Sequence, residues 1–253
     1  MFIVKVARST DVAIHYRTQG FVLKKKDLGE ADRLFTIFTK EFGKLEILGK
    51  AIKKIGSKLR GGMELFYLSD IEFIQGKTHK TLTDAILIDS FQNLRKDLKR
   101  LKIVQDISEM IDSLIKGEEK DEKIWNLLKD TLEELNRISL SIKECWLTYY
   151  YFLWNFLSVL GYKPQLNFCS ICQKKLIQKN IYFSKKEGGT ICSICFEKTK
   201  EGKKVLPDVV KILRLFLEKN PNFLKKLKIK KEYQKTVKEL SKDYLEYIKE
   251  GQS

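Results

Sequence analysis

The sequence predicts a multidomain α+β protein: a small closed β-barrel in the N-terminal part, then an α-helical domain carrying an inserted four-cysteine metal module. Three observations carry this. Short β-prone segments crowd residues 20–89, apolar spacing changes to three- and four-residue steps from Asn93, and two CxxC pairs interrupt the helical part.

The barrel is read strand by strand. Gly20-Phe21-Val22-Leu23 opens the first strand, and Leu34-Phe35-Thr36-Ile37-Phe38-Thr39 is the β-branched and aromatic run of the second. Glu41-Phe42-Gly43-Lys44 forms a turn with Gly43 available for positive φ, and Leu45-Glu46-Ile47 alternates beyond it. Leu65 to Leu68 and Ile71 to Ile74 read as one long strand, and Thr81 to Ile88 as the last, after a turn at Gly76. About five short strands in so small a segment favour closure, which removes exposed edges. The residues before Arg17 fit either an added strand or an ordered arm.

The helices follow from apolar spacing. Leu94, Leu98, Leu101, Ile107, Ile111 and Leu114 form a stripe that stops at Gly117, and Ile124, Leu127, Leu128, Leu132 and Leu135 form a second. The run from Cys145 to Leu160 is apolar nearly all round, which predicts the centre of a helical bundle ending at Gly161. It is too short for the roughly 20 residues of a bilayer span, and Thr148, Asn155 and Ser158 interrupt it. Pro207 begins a helix through Val209, Ile212, Leu213 and Phe216, and a last helix carries Tyr233, Val237, Leu240, Tyr244 and Ile248. The expected domains are residues 1–89, 90–165, an insert at 166–204, and a return to the helical domain at 205–253.

A formal charge of +16 on 253 residues repels itself, and a polyanion relieves that repulsion. Nucleic acid and an anionic membrane surface are the candidates, beside a lysine-rich host in which a basic surface means little. No secretory signal is apparent at the start, so a reducing, cytoplasmic location is expected, and five cysteines are not read as a disulfide framework.

Cys169-Ser170-Ile171-Cys172 and Cys192-Ser193-Ile194-Cys195 are separated by residues 173 to 191, within the spacing of a four-cysteine zinc site. Four thiolates complete a tetrahedron and leave no open position, so Cys169, Cys172, Cys192 and Cys195 predict a structural Zn2+ that stands in for a core. The alternative, redox cysteines, requires a βαβ context that neither pair has. Cys145 is read as a buried small hydrophobe.

Catalytic constellations are scarce. His15 and His79 are the two histidines, too few for a histidine-based metalloenzyme or triad. Gly43 to Ala51 imitates a phosphate-binding loop but has five residues between its glycines and Ala51 where Ser or Thr is needed. The chain is expected not to be an enzyme.

The basic residues concentrate instead. Lys50, Lys53, Lys54, Lys58 and Arg60 share an acid-free stretch with Gly49, Gly56, Gly61 and Gly62, expected as a mobile loop between barrel strands that follows a phosphate backbone. Lys24, Lys25, Lys26, Arg33, Lys40 and Lys44 add charge on the same domain. Phe21, Phe35, Phe38, Phe42, Phe66 and Tyr67 are available to stack on bases, with a core role as the competing reading.

Gly20 to Lys24, Asp27-Leu28-Gly29-Glu30-Ala31-Asp32-Arg33-Leu34 and Thr39 to Lys44 strongly resemble the opening of RecO recombination proteins. Gly49-Lys50-Ala51, Leu59-Arg60-Gly61-Gly62 and Leu82 to Ala85 extend the likeness, which runs from about Arg17 to the end and leaves residues 1–16 as an extension. The resemblance implies an N-terminal OB-fold, a helical domain and an inserted zinc module. It further implies binding of single- and double-stranded DNA at the nucleoid, annealing of strands coated by single-strand-binding protein, and loading of RecA with the partner RecR. The helical domain is the expected dock for the acidic tail of single-strand-binding protein, through an apolar groove rimmed by Lys. An OB barrel with a zinc module acting on RNA remains the alternative.

Overall fold

The computed structural model describes residues 14–139, 141–177, 180–220 and 226–251, so the expectation for residues 1–16 lies mostly outside them. The chain divides into two compact units, Met1–Ser139 and Leu140–Ser253.

In the first unit, β1 (His15–Leu28), β2 (Asp32–Thr39), β3 (Gly43–Gly49), β4 (Leu68–Gln75) and β5 (Lys80–Asp89) close into a barrel in the order β1-β2-β3-β5-β4. β1 makes closure possible because it is long enough to serve two partners. Its first half pairs with β4, from His15↔Ile74 to Phe21↔Leu68, and its second half pairs with β2 as far as Leu28↔Asp32. A bulge between Val22 and Lys24 bends it from one to the other. The remaining gap is closed by a short parallel contact of β3 with β5, Ile47↔Lys80 and Leu48↔Thr81. This is an OB-type barrel, with Val22, Phe35, Ile37, Leu45, Ile47, Ile71 and Phe73 in its core.

Among the described residues of this unit three α-helices follow the barrel: α1 (Gln92–Arg95), α2 (Leu98–Leu114) and α3 (Glu122–Leu135). α3 presents Trp125, whose ring lies 4.8 Å from Phe21 and 6.4 Å from Phe38. These two phenylalanines are fully buried and belong to the contact with the helix, which removes them as base-stacking candidates; Phe35 is equally buried in the barrel core.

Two sequence expectations are corrected. The strand expected from Leu65 begins at Leu68, because Phe66 takes a left-handed backbone (φ 65°) and its N–H bonds to Val22 O at 2.8 Å. The first apolar stripe breaks at Asp97, whose carboxylate accepts from the N–H groups of Lys99 and Arg100 and starts a new helix. The phase therefore shifts: Leu98 is exposed, and α2 buries Val104, Ile107, Met110, Ile111 and Leu114.

The second unit holds α4 (Ile142–Val159), β6 (Ile181–Ser184), β7 (Gly189–Cys192), α5 (Ser193–Thr199), β8 (Lys203–Val205), α6 (Pro207–Glu218) and α7 (Lys231–Glu250). The strands form an antiparallel sheet in the order β7-β6-β8. Ser141 and Glu144 cap α4 reciprocally, and Gly161 at φ 92° ends the turn beyond it. α4 is the expected central helix. Trp154 is fully buried, stacked 5.6 Å from Tyr244 on α7 and edge-on to Phe183 on β6. Asn155 donates to Phe216 O on α6 at 2.8 Å. No helix of the described residues is long and apolar enough to cross a membrane.

Candidate nucleic-acid interface and metal centre

The four cysteines converge as their spacing predicts. The Sγ atoms of Cys169, Cys172, Cys192 and Cys195 all lie within 4.8 Å of one another. A tetrahedral ion with metal–sulfur bonds of about 2.3 Å sets its sulfurs about 3.8 Å apart, and Cys172 and Cys192 already stand at 3.9 Å. A small contraction completes the site, so the cluster can hold a metal ion.

Local structure brings the pairs together. The first turn is closed by Cys169 N–H to Lys174 O and Gln173 N–H to Cys169 O, both 2.9 Å, with Gln173 at φ 57°. Ser170 N–H donates to Thr190 O at 2.8 Å and lays this turn beside β7. Gly189 permits the approach, since a Cβ there would stand 2.3 Å from Gln165 O. Cys192 ends β7 and Cys195 lies in the first turn of α5.

The thiols are electrostatically unequal. Burial pushes Cys169 up, but backbone N–H groups of Cys172, Cys192 and Ile171 outweigh it and bring the thiol down to about 6. Burial, followed by the hydrogen bonds shared with the other three cysteines, pushes Cys195 up to about 12. Four thiolates thus require a cation between them near neutral pH. The apolar support is slight: Ile191 with Leu176, Tyr182 and Phe196, the last two stacked at 3.8 Å. Cys145 is buried on α4, apart from the cluster.

The basic segment between β3 and β4 is a chain of turns tied to the barrel at several points. Ala51 N–H donates to Asp32 Oδ1 at 2.7 Å, Lys53 N–H to Ala31 O at 3.0 Å, and Ile52 and Met63 are buried in the barrel core at either end. A 3-10 turn, Lys58–Gly62, follows, and Gly62 lies where a Cβ would stand 2.5 Å from Ala85 O.

The eleven candidate cations, Lys24, Lys25, Lys26, Arg33, Lys40, Lys44, Lys50, Lys53, Lys54, Lys58 and Arg60, separate into two groups. Lys24 and Lys44 both pair with Asp112 of α2, Lys25 with Glu64, and Arg33 and Lys53 with Asp27. Lys26, Lys40, Lys50, Lys54, Lys58 and Arg60 are exposed and make no ion pair with the described residues. The partners Asp112 and Glu64 lie far away in sequence, and no local pattern announces them. Sequence reading also missed Arg95, which sits 4.8 Å over the Tyr67 ring and donates to Leu65 O at 2.6 Å, so fixing the entry to β4. A groove of about 1010 Å3 beside α2 is lined by Lys24, Lys25, Lys26, Phe66 and Leu98, and also by the carboxylates of Glu46, Glu64, Glu109 and Asp112.

Comparison with known proteins covers nearly the whole chain. The family model described as Recombination protein O N terminal matches residues 14–91, and that described as Recombination protein O C terminal matches residues 95–250. A DNA repair protein RecO of Dehalococcoides mccartyi (strain ATCC BAA-2266 / KCTC 15142 / 195) is 33% identical over 86% of this chain and 84% of its own length. One from Caldanaerobacter subterraneus subsp. tengcongensis is 29% identical over 91% and 93%, and one from Halalkalibacterium halodurans 29% over 90% and 88%.

Proposed function

The chain belongs to the RecO family, and from that premise we propose that it is a DNA-binding recombination mediator and strand-annealing protein acting in DNA repair. The observation that carries the reading is the group Lys50, Lys54, Lys58 and Arg60, exposed and without an ion pair among the described residues, on an anchored segment of an OB-type barrel. Such a surface neutralises phosphates without reading sequence, which lowers the repulsion between two strands brought together. Lys26 and Lys40 extend it, while Lys24, Lys25, Arg33, Lys44 and Lys53 shape the barrel and add field at longer range. The protein works by holding strands and not by catalysis.

The cofactor is a structural Zn2+ on Cys169, Cys172, Cys192 and Cys195, chosen over other metals because four thiolates in a closed tetrahedron favour it. Residues 1–89 are assigned to DNA, residues 90–165 and 205–253 to the helical domain, and 166–204 to the zinc module. Partners are single- and double-stranded DNA, RecR, and single-strand-binding protein, with RecA loaded as the result, in the cytoplasm at the nucleoid. The groove beside α2 is the candidate dock for the acidic tail of single-strand-binding protein: Phe66, Leu98 and Leu101 give it apolar walls, and Lys26 is left without an ion pair among the described residues, whereas Lys24, Lys25 and Lys102 are already paired with Asp112, Glu64 and Asp106.

The test is annealing of complementary oligonucleotides precoated with the cognate single-strand-binding protein, intact or lacking its tail. Annealing that requires the tail is the expected result. If bare strands anneal and coated ones never do, the mediator role fails and RNA binding takes its place.

A further inference from the structure

We infer that Ile55 is a nucleobase-contacting residue: it lays its side chain against an unstacked base while the cations on either side of it hold the flanking phosphates. The inference rests on the reading of the basic segment as a DNA-binding element and adds an apolar contact to it.

Single exposed apolar residues are ordinary on protein surfaces, but the placement of this one is not. Ile55 is 98% exposed, more than any other large apolar residue described. It stands at the second position of a tight turn closed by Ser57 N–H to Lys54 O at 3.0 Å. Turn residues that set φ or bond their own backbone are favoured there, and isoleucine does neither. It is also presented firmly, because Lys53 N–H bonds Ala31 O, and Lys53 Nζ bonds Asp27 and Gly29 O just before the turn.

Gly56, next in the turn, leaves the space beside Ile55 open. A Cβ at Gly56 would meet nothing within 4 Å, and its φ is not in the positive region that favours glycine. Among the described residues neither packing nor backbone geometry requires glycine at Gly56 or at Gly61, in contrast to Gly62. A bare backbone without an internal reason fits the close approach of a ligand.

The charge pattern selects the ligand. Residues 50–60 contain five cations and no acid, and Lys54 and Lys58 bracket Ile55 within the turn and the residue after it. An isolated apolar side chain between cations that make no ion pair among the described residues matches a strand in which phosphates alternate with flat apolar base faces.

The experiment uses the full chain, a single-stranded oligonucleotide carrying 2-aminopurine, and three variants: Ile55→Ala, Ile55→Phe, and a combined Lys50→Gln, Lys54→Gln, Lys58→Gln. Wild-type protein is expected to raise 2-aminopurine fluorescence by unstacking the base. Ile55→Ala should lose that rise and bind about tenfold more weakly, with an unchanged salt slope. Ile55→Phe should restore both. Full exposure means that neither substitution threatens the fold, which circular dichroism checks. If Ile55→Ala keeps the fluorescence rise while the lysine variant loses affinity and slope, the base contact is refuted and the DNA-binding segment stands. If the lysine variant keeps its slope, the segment is not the DNA site and the base contact falls with it. Ile55-dependent binding to anionic lipid vesicles without any effect on DNA likewise overturns it in favour of a membrane surface.

Discussion

Lys44 on β3 donates from Nζ to both the main-chain carbonyl (2.6 Å) and the carboxylate (3.3 Å) of Asp112 on α2. Lys24 on β1 reaches the other carboxylate oxygen at 2.5 Å. One acid thus ties two barrel strands to a helix, and it consumes two cations that sequence alone assigns to DNA.

The first prediction concerns this tie. Burial pushes the Asp112 carboxyl up, but the bonds from Lys24 and Lys44 outweigh it and hold it below the usual carboxylate range. A lowered folded-state pKa means that the unfolded chain takes up its proton first as pH falls. The stabilisation is therefore complete above the unfolded value, about 4, and is lost as pH drops through the folded one. Asp112→Asn should cost about 1–2 kcal/mol at neutral pH, partial exposure limiting the effect. The cost should shrink below about pH 4. Urea midpoints of both proteins at pH 7 and pH 3 test this; an equal cost at both values removes the ion pair as its source.

The division of the cations gives the second prediction. Neutralising Lys50, Lys54 and Lys58 should weaken DNA binding and reduce the slope of log affinity against log salt by roughly one per lost phosphate contact. Stability should hardly change, since these side chains are exposed and unpaired among the described residues. Lys44→Gln should do the reverse, lowering the unfolding midpoint and leaving most of the slope. Matching slope losses in the two variants would erase the distinction between structural and DNA-facing lysines.

Much of this was legible in the sequence, for reasons that differ by element. Strands β2 and β3 and the turn at Gly43 follow from local β-branched and glycine patterns, and the metal cluster from the cysteine spacing. Gly43 indeed takes φ 65°. The fate of Lys24 and Lys44 was not legible, because Asp112 approaches only after α2 packs on the barrel. Leu98 was misplaced for a local reason: Asp97 restarts the helix and resets its phase. The aromatic run of residues 35–38 signalled a strand but not its faces; Phe35 is in the barrel core, and Phe38 lies beneath Trp125.

The third prediction addresses the metal. Cys172→Ser should abolish the metal content of the purified protein, whereas Cys145→Ala should retain it, since Cys145 is outside the cluster. Chelation should make the four clustered thiols reactive together and destabilise the small sheet, whose apolar support is thin. Hydrogen exchange should show faster exchange in β6 and β7 and an unchanged barrel. Full metal retention in Cys172→Ser would remove that residue from the ligand set.

The last prediction comes from the centre of the second unit. Trp154 Nε1 donates to Ser241 Oγ at 3.1 Å, and both residues are buried, at 0% and 1% exposure. An indole N–H that loses its acceptor in such a place is left without water, which costs about 1–3 kcal/mol. Ser241→Ala should therefore destabilise the protein although it removes a single atom. Trp154→Phe keeps an aromatic ring against Tyr244 but leaves the Ser241 hydroxyl without its indole donor, and it empties volume as well. Combining the two removes donor and acceptor together, so the double variant should be more stable than the sum of the single losses predicts, by about 1 kcal/mol. Urea unfolding of the four proteins closes the cycle. Strict additivity would mean that the helices are held at this point by ring packing alone, and that the hydrogen bond adds no net stability.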